Sequence, residues 1–155
     1  MRNDDKAEKP RRIFVLADTH NRLPESVVEM SKEADEIWHL GDVCAETIFD
    51  ELRAIGPPAT VVRGNCDSNS EWPLVLDLAR GGLKFRLQHV PPDHPPDDVD
   101  VLLHGHTHVP RNERRGRVLF LNPGCVTRPN RGAPPSVAWL EIVDGKISWK
   151  LVLLR

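Results

Sequence analysis

The sequence predicts an α/β fold in which two mixed β-sheets pack face to face with flanking helices. Three observations carry that expectation. The first half alternates short apolar runs with helical patterns in the order βαβαβ, which implies a parallel sheet. The second half changes character and places paired apolar runs around Gly81-Gly82 and Asp144-Gly145, the chemistry of hairpin turns. At 155 residues the chain has the length of one domain, so both halves belong to a single core.

Residues 1–12 read as a flexible tail of mixed charge, with the single domain expected over 13–155. Ile13 to Ala17 is the first strand. Pro24 to Ala34 follows as a helix with proline in its first turn, and Glu36 to Leu40 as the second strand. Ile48, Leu52 and Ile55 share one helical face, and Gly56-Pro57-Pro58 stops that helix before a strand at Thr60 to Arg63. Val75 to Ala79 pairs with Leu83 to Gln88, and Val137 to Val143 with Ile147 to Leu153. Between the hairpins lie a strand at Asp100 to Leu103 and a stretch from Arg111 to Leu121 that turns at Arg114-Arg115-Gly116. Pro91, Pro92, Pro95 and Pro96 force Val90 to Asp98 into an extended loop.

Composition narrows the function. A chain of this size buries ~70% of its unfolded surface, and with 39% hydrophobic residues a core needs no disulfide staples. Its net charge of −2 offers no field for a polyanion, which disfavours nucleic acid. No apolar run reaches the ~20 residues of a membrane span, so no membrane partner is expected. Cys44, Cys66 and Cys125 are odd in number and widely spaced, which points to a reducing compartment and a cytoplasmic location.

Five segments share one grammar: IFVLADTH, EIWHLGD, TVVRGNCD, KFRLQH and DVLLHGHTH each run from an apolar strand into metal-capable side chains. Ligands of open α/β sheets bind at the carboxyl ends of strands, so these ends gather Asp18, His20, Asp42, Asn65, His89, His106 and His108 around one point. Singly, Asp18 with His20, Gly41-Asp42 and Gly64-Asn65 are ordinary turn and capping chemistry. His106 and His108, on alternate residues after a strand, are harder to explain that way. Together the seven form a mixed nitrogen and oxygen set large enough for two divalent ions with one aspartate between them, the need of a two-metal hydrolase.

DTH, GD, GNCD, a strand-end histidine, GHTH and NPGC, in that order from Ile13 to about Gly132, resemble the calcineurin-like metallophosphoesterase superfamily. The short length and Cys66 resemble its small prokaryotic phosphodiesterases. The resemblance implies an α/β/β/α sandwich. It implies a first metal held by Asp18, His20, Asp42 and His108 and a second by Asp42, Asn65, His89 and His106, with Asp42 as bridge and Asp42, Asn65 and His106 as the catalytic set. Manganese is the first choice of ion, with iron, nickel, cobalt or zinc as alternatives. The implied activity is hydrolysis of a small-molecule phosphate ester, a phosphodiester in the first place, by metal-bound hydroxide. The alternatives are a phosphomonoesterase or protein phosphatase, and a non-catalytic interaction scaffold of the same fold, as in the retromer subunit. Homo-oligomerisation stays open.

Departures matter too. Many relatives carry, where Cys66 stands, a histidine that assists the departing oxygen, so leaving-group quality is expected to limit the reaction. Arg128 or Arg131, after NPGC, is placed to meet a phosphate oxygen or simply to lie in solvent. His39 and His104 point away from the ligands by strand alternation and are expected to be buried and satisfied, whereas His94 is expected in solvent. Trp38, Trp139 and Trp149 read as core or interface, Trp72 as a residue able to face the cleft, and Cys44 and Cys125 as small packing residues.

Overall fold

The computed structural model describes residues 9–154. Five strands form a first sheet in the order β10-β9-β1-β2-β3, and five form a second in the order β4-β5-β6-β8-β7. In chain order these are β1 (Arg11–Leu16), α1 (Glu25–Ser31), β2 (Glu36–His39), α2 (Glu46–Ala54), β3 (Ala59–Val61), β4 (Val75–Arg80), β5 (Leu83–Gln88), β6 (Val101–Leu103), β7 (Arg111–Arg115), β8 (Val118–Asn122), β9 (Ser136–Val143) and β10 (Lys146–Leu153). Most of the tail expected at 1–12 lies outside the described residues. Arg11 and Arg12, however, belong to β1, where Arg12 pairs with Glu141 and Arg11 faces Ile142 across the antiparallel β9.

Both sheets are mixed, as the change of character along the sequence implies. β1, β2 and β3 run parallel, with β9 and β10 added antiparallel. β5, β6 and β8 run parallel, with β4 and β7 antiparallel at the two edges. Gly81 and Gly82 both take positive φ, 58° and 82°, the backbone that a tight hairpin turn between β4 and β5 requires.

Alternation assigns the faces. Ile13, Val15, Trp38, Leu40, Leu140 and Ile142 of the first sheet meet Phe85, Leu87, Val101, Leu103 and Leu121 of the second, forming the central layer. Phe14, Leu16, Ile37, Val61 and Val137 point the other way, against Val27 of α1 and Ile48, Phe49 and Leu52 of α2. A strand covered on both faces reads as a continuous apolar run, which is why Ile13 to Leu16 carries no polar residue. Both described helices lie on this side. The outer face of the second sheet instead buries Leu102, Val118 and Phe120 beneath Val99 from the end of the proline-rich loop, and the Arg111 guanidinium stacks 4.3 Å over Phe120. Trp72 packs edge-on against Phe49 at 5.4 Å in the helix-side core, so it does not face the cleft.

Candidate metal centre

The carboxyl ends of β1, β2, β3, β5 and β6 meet at one end of the sandwich, and backbone bonds stitch them together. Asp18 N–H donates to Gly41 O at 2.9 Å, His20 N–H to Asp42 O at 3.1 Å, and Gly105 N–H to His89 O at 3.0 Å. All seven residues expected from the strand-end grammar stand here.

Three imidazoles are aimed by the same device. Nδ1 of His20, His89 and His108 bonds the carbonyl oxygens of Asp18 (3.1 Å), Leu40 (2.8 Å) and Arg128 (2.6 Å) respectively. A ring that donates from Nδ1 to a carbonyl is left with a basic Nε2, the tautomer a ligand needs. The three Nε2 atoms converge on two carboxylates: His20 lies 3.4 Å and His89 3.3 Å from Asp42 Oδ2, and His108 lies 3.4 Å from Asp18 Oδ1. One donor atom each from Asp18, His20, Asp42 and His108 lies within 4.8 Å of all the others. Beside this group, His106 Nδ1 meets Asn65 Oδ1 at 3.2 Å, and the His106 ring stands edge-on to His89 with centroids 5.2 Å apart.

Backbone strain marks the same residues. Asp18, His20, Asp42, His106 and His108 all take positive φ, from 45° to 73°, a region that costs a non-glycine residue free energy and persists only where the surroundings impose it. Gly64 explains part of the imposition: a Cβ there would collide with the backbone nitrogen and Oδ1 of Asp42, so only glycine lets β3 approach so closely.

Burial gives the two aspartates opposite characters. Asp18, fully buried and beside two further carboxylates, is raised to about 7, burial outweighing the attraction of His89. Burial also pushes Asp42 upward, but the His89 ring and the Cys66 N–H, 2.9 Å from Oδ1, outweigh it and bring Asp42 down to about 2. Deep in this group, Asp18 Oδ1 and His89 Nε2 lie 3.7 Å apart, both buried and neither hydrogen-bonded. Buried polar atoms without partners are costly and rare. A divalent cation among them would satisfy both, so the donor set fits a metal.

His39 and His104 behave as the strand alternation predicts. His39 is fully buried, accepts the Gly41 N–H on Nδ1 and donates from Nε2 to Thr19 Oγ1, and burial drives it down to about 3. His104, equally buried, bonds Gly105 O and the Arg111 guanidinium, and burial brings it down to about 4. His94 is exposed, and so are Arg128 and Arg131.

Residues outside the expected set prove essential to the geometry. The Asp67 carboxylate accepts three backbone N–H groups, from Asp42 (2.9 Å), Gly64 (2.7 Å) and Cys44 (2.8 Å), and so binds the β2 and β3 loops together. Its signal was the final letter of GNCD, which reads as turn chemistry until the loops are seen side by side. Asn122 of NPGC caps the Gly124 N–H and donates to Gly105 O and Thr107 Oγ1, holding the GHTH loop. Arg128 contributes its carbonyl to His108, a role no side-chain argument finds.

The cysteines need the clearest correction. Cys44 and Cys66 form a disulfide, with Cα atoms 5.4 Å apart. They lie 22 residues apart in sequence, but each follows a ligand-bearing loop, and the parallel pairing of β2 with β3 sets those loops side by side. Cys44 is therefore not a packing residue, Cys66 carries no thiol, and an odd count no longer argues for a reducing compartment. Cys125 is the one free cysteine among the described residues; it is buried, with Sγ 3.4 Å from Asp18 O.

A two-sheet sandwich carrying this histidine and aspartate cluster at its strand ends defines a metallophosphoesterase. Residues 12–145 match the calcineurin-like phosphoesterase superfamily domain, and the chain belongs to that superfamily. Phosphodiesterase YfcE of Escherichia coli K12 is 30% identical, over 84% of this chain and 87% of its own length. A probable metallophosphoesterase of Methanocaldococcus jannaschii is 32% identical, over 90% of this chain and 80% of its own. The solved structure of the E. coli phosphoesterase Yfce superimposes with a TM-score of 0.74 at 26% identity, covering 93% of this chain and all of that one (100%). Vacuolar Protein Sorting 29 from Cryptosporidium parvum also superimposes at 0.74, with 23% identity over 95% of this chain and 99% of its own, and shares the fold.

Proposed function

We propose that this protein is a dinuclear metal-dependent phosphodiesterase. The observation that carries the proposal is the unpartnered pair Asp18 Oδ1 and His89 Nε2, buried at the centre of seven ligand-competent side chains. Asp18, His20, Asp42 and His108 would hold one ion and Asp42, Asn65, His89 and His106 the other, with manganese the first candidate for an imidazole-rich set. When bound, such a pair lowers the pKa of water and neutralises charge on a phosphoryl group.

The chain's own residues do the rest. Asp42, held ionised, supplies the negative charge between the two sets. The carbonyls of Asp18, Leu40 and Arg128 fix the tautomers. Asn65 and His106 are exposed where the cluster opens to solvent, the place at which a substrate arrives. Asn65 and His89 also line a cavity of about 270 Å³ with Arg63, Leu74, Val75 and Val90. Leu74, Val75 and Val90 are 58%, 50% and 49% exposed, so the wall beside the ligands is apolar. A monoester has a single organic substituent, whereas a diester places a second one beside the cluster, and this wall favours the diester. With Cys66 in a disulfide, no acidic thiol stands ready to protonate the departing oxygen, so activated leaving groups are expected to react fastest.

Chelated protein re-supplied with Mn²⁺, assayed against an aryl diester and the matching monoester, tests the proposal. Activity is expected only with metal, and a higher kcat/KM on the diester. Chelated protein that hydrolyses the diester at the untreated rate would refute it.

A further inference from the structure

We propose that Cys44 and Cys66 form a thiol-responsive modification site whose bond state sets how firmly the ligand cluster holds its ions. This rests on the ligand assignment above and extends it. Cys44 stands two residues after Asp42 and Cys66 directly after Asn65, so the disulfide joins the loop of the bridging carboxylate to the loop of the amide ligand. The Cys66 N–H donates to Asp42 Oδ1 at 2.9 Å, and the Cys44 N–H to Asp67 Oδ1 at 2.8 Å. Asp67 in turn fixes the Asp42 and Gly64 amides. Both cysteines thus touch, through their backbones, the groups that orient Asp42.

Two further observations give the bond a function beyond stability. Cys44 is held at φ 72°, a conformation that a non-glycine side chain keeps only under constraint, so opening the bond frees it to relax and withdraw its N–H from Asp67. His20, Cys44 and Cys66 also place one donor atom each within 4.8 Å of the others. Once reduced, the two sulfurs compete for the imidazole that the cluster needs, and thiolates favour soft ions over Mn²⁺. Both effects weaken Mn²⁺ binding.

The site is open to exchange. Cys66 is exposed, whereas the remaining thiol, Cys125, is buried. The reductant class is a low-molecular-weight thiol. Its thiolate attacks Cys66 Sγ, the Cys44–Cys66 bond breaks, and Cys44 leaves as a thiolate that takes up a proton. A second thiol then attacks the mixed disulfide, releasing the Cys66 thiol and the oxidised reagent. In sum, one protein disulfide and two small thiols give two protein thiols and one small disulfide.

The test compares the folded full chain before and after reduction by a non-chelating phosphine that is then removed. Thiols are counted and Mn²⁺ alone is titrated calorimetrically. The thiol count is expected to rise from one to three, Mn²⁺ affinity to fall about tenfold, the usual consequence of disturbing groups that orient ligands, and glutathione disulfide to restore both. The C44S/C66S double variant is expected to bind Mn²⁺ as the reduced protein does and to ignore reductant; should it fail to fold, reduced wild type carries the comparison. Equal affinity in the two bond states, or a thiol count that stays at one in the folded protein, overturns the switch. Absence of Mn²⁺ binding in both states, with the thiol count still responding, overturns the ligand assignment itself.

Discussion

Asp18 and His39 sit within a few ångströms of the same loops, yet their proton balances pull folding stability in opposite directions. In the metal-free protein Asp18 keeps its proton to about 7, against an ordinary 3.8. Between those values the folded chain binds more protons than the unfolded one, so this residue's stabilisation, complete below 3.8, is lost as pH rises through 7. His39 titrates at about 3 when folded against 6.5 when unfolded. Its contribution is complete above 6.5 and is lost as pH falls through 3. The two offset each other from about 4 to 6.5, and above that only Asp18 still acts. D18N mimics the protonated carboxyl and removes the falling contribution. Chelated D18N is therefore expected to gain stability relative to chelated wild type steadily from pH 4 to pH 7.5, read from urea midpoints. A constant difference across that range would show that Asp18 ionises normally. The same proton must leave when a cation arrives, so Mn²⁺ affinity of the wild type is expected to rise through pH 7.

At the scale of elements, the site depends on how closely strand ends approach one another. Gly64, in the loop that follows β3, lies so near Asp42 that a methyl group has no room, and a backbone displaced there carries Asn65 and Asp67 with it. G64A is expected to lower both kcat/KM and Mn²⁺ affinity by at least tenfold, measured on protein whose circular dichroism shows that it is folded. Wild-type metal affinity in G64A would show that the loop has slack. This dependence also explains what the sequence disclosed. The strand-end grammar gathered Asp18, His20, Asp42, Asn65, His89, His106 and His108 because period-2 runs and parallel topology are local properties. The reach of β1 back to Arg11 was hidden, since the side chains of Arg11 and Arg12 gain their partners only from Glu36 and Glu141, far along the chain. The Cys44–Cys66 bond, the three-amide clamp of Asp67 and the Arg128 carbonyl on His108 were hidden for the same reason: each arises between loops that only the finished sheets make neighbours.

For the whole molecule, the distribution of apolar surface separates a catalyst from a docking platform. Among the described residues the exposed large hydrophobics are Leu74, Val75, Val90 and Leu153, and the first three border one cavity beside Asn65 and His89. Scattered singly they would need no explanation, but grouped at the mouth of the ligand cluster they mark a place where something apolar lands. Leu74 directly precedes β4, an edge strand that Val75 begins, while Val90 follows β5, so the wall lies across β4 and the neighbouring strand that delivers His89. If an ester substituent occupies it, covering the exposed part of one leucine contributes about 1–2 kcal/mol. L74D should then lower kcat/KM for an aryl diester about five- to thirtyfold, mostly through KM, because the contact is made equally in ground and transition states. Dimethyl phosphate, too small to reach the wall, should be cleaved equally by both proteins, however slowly. A scaffold surface predicts otherwise: L74D would leave aryl-diester kinetics untouched and change only association with another chain, measured by light scattering. An unchanged KM on the aryl diester would therefore move this apolar wall from the substrate to a partner.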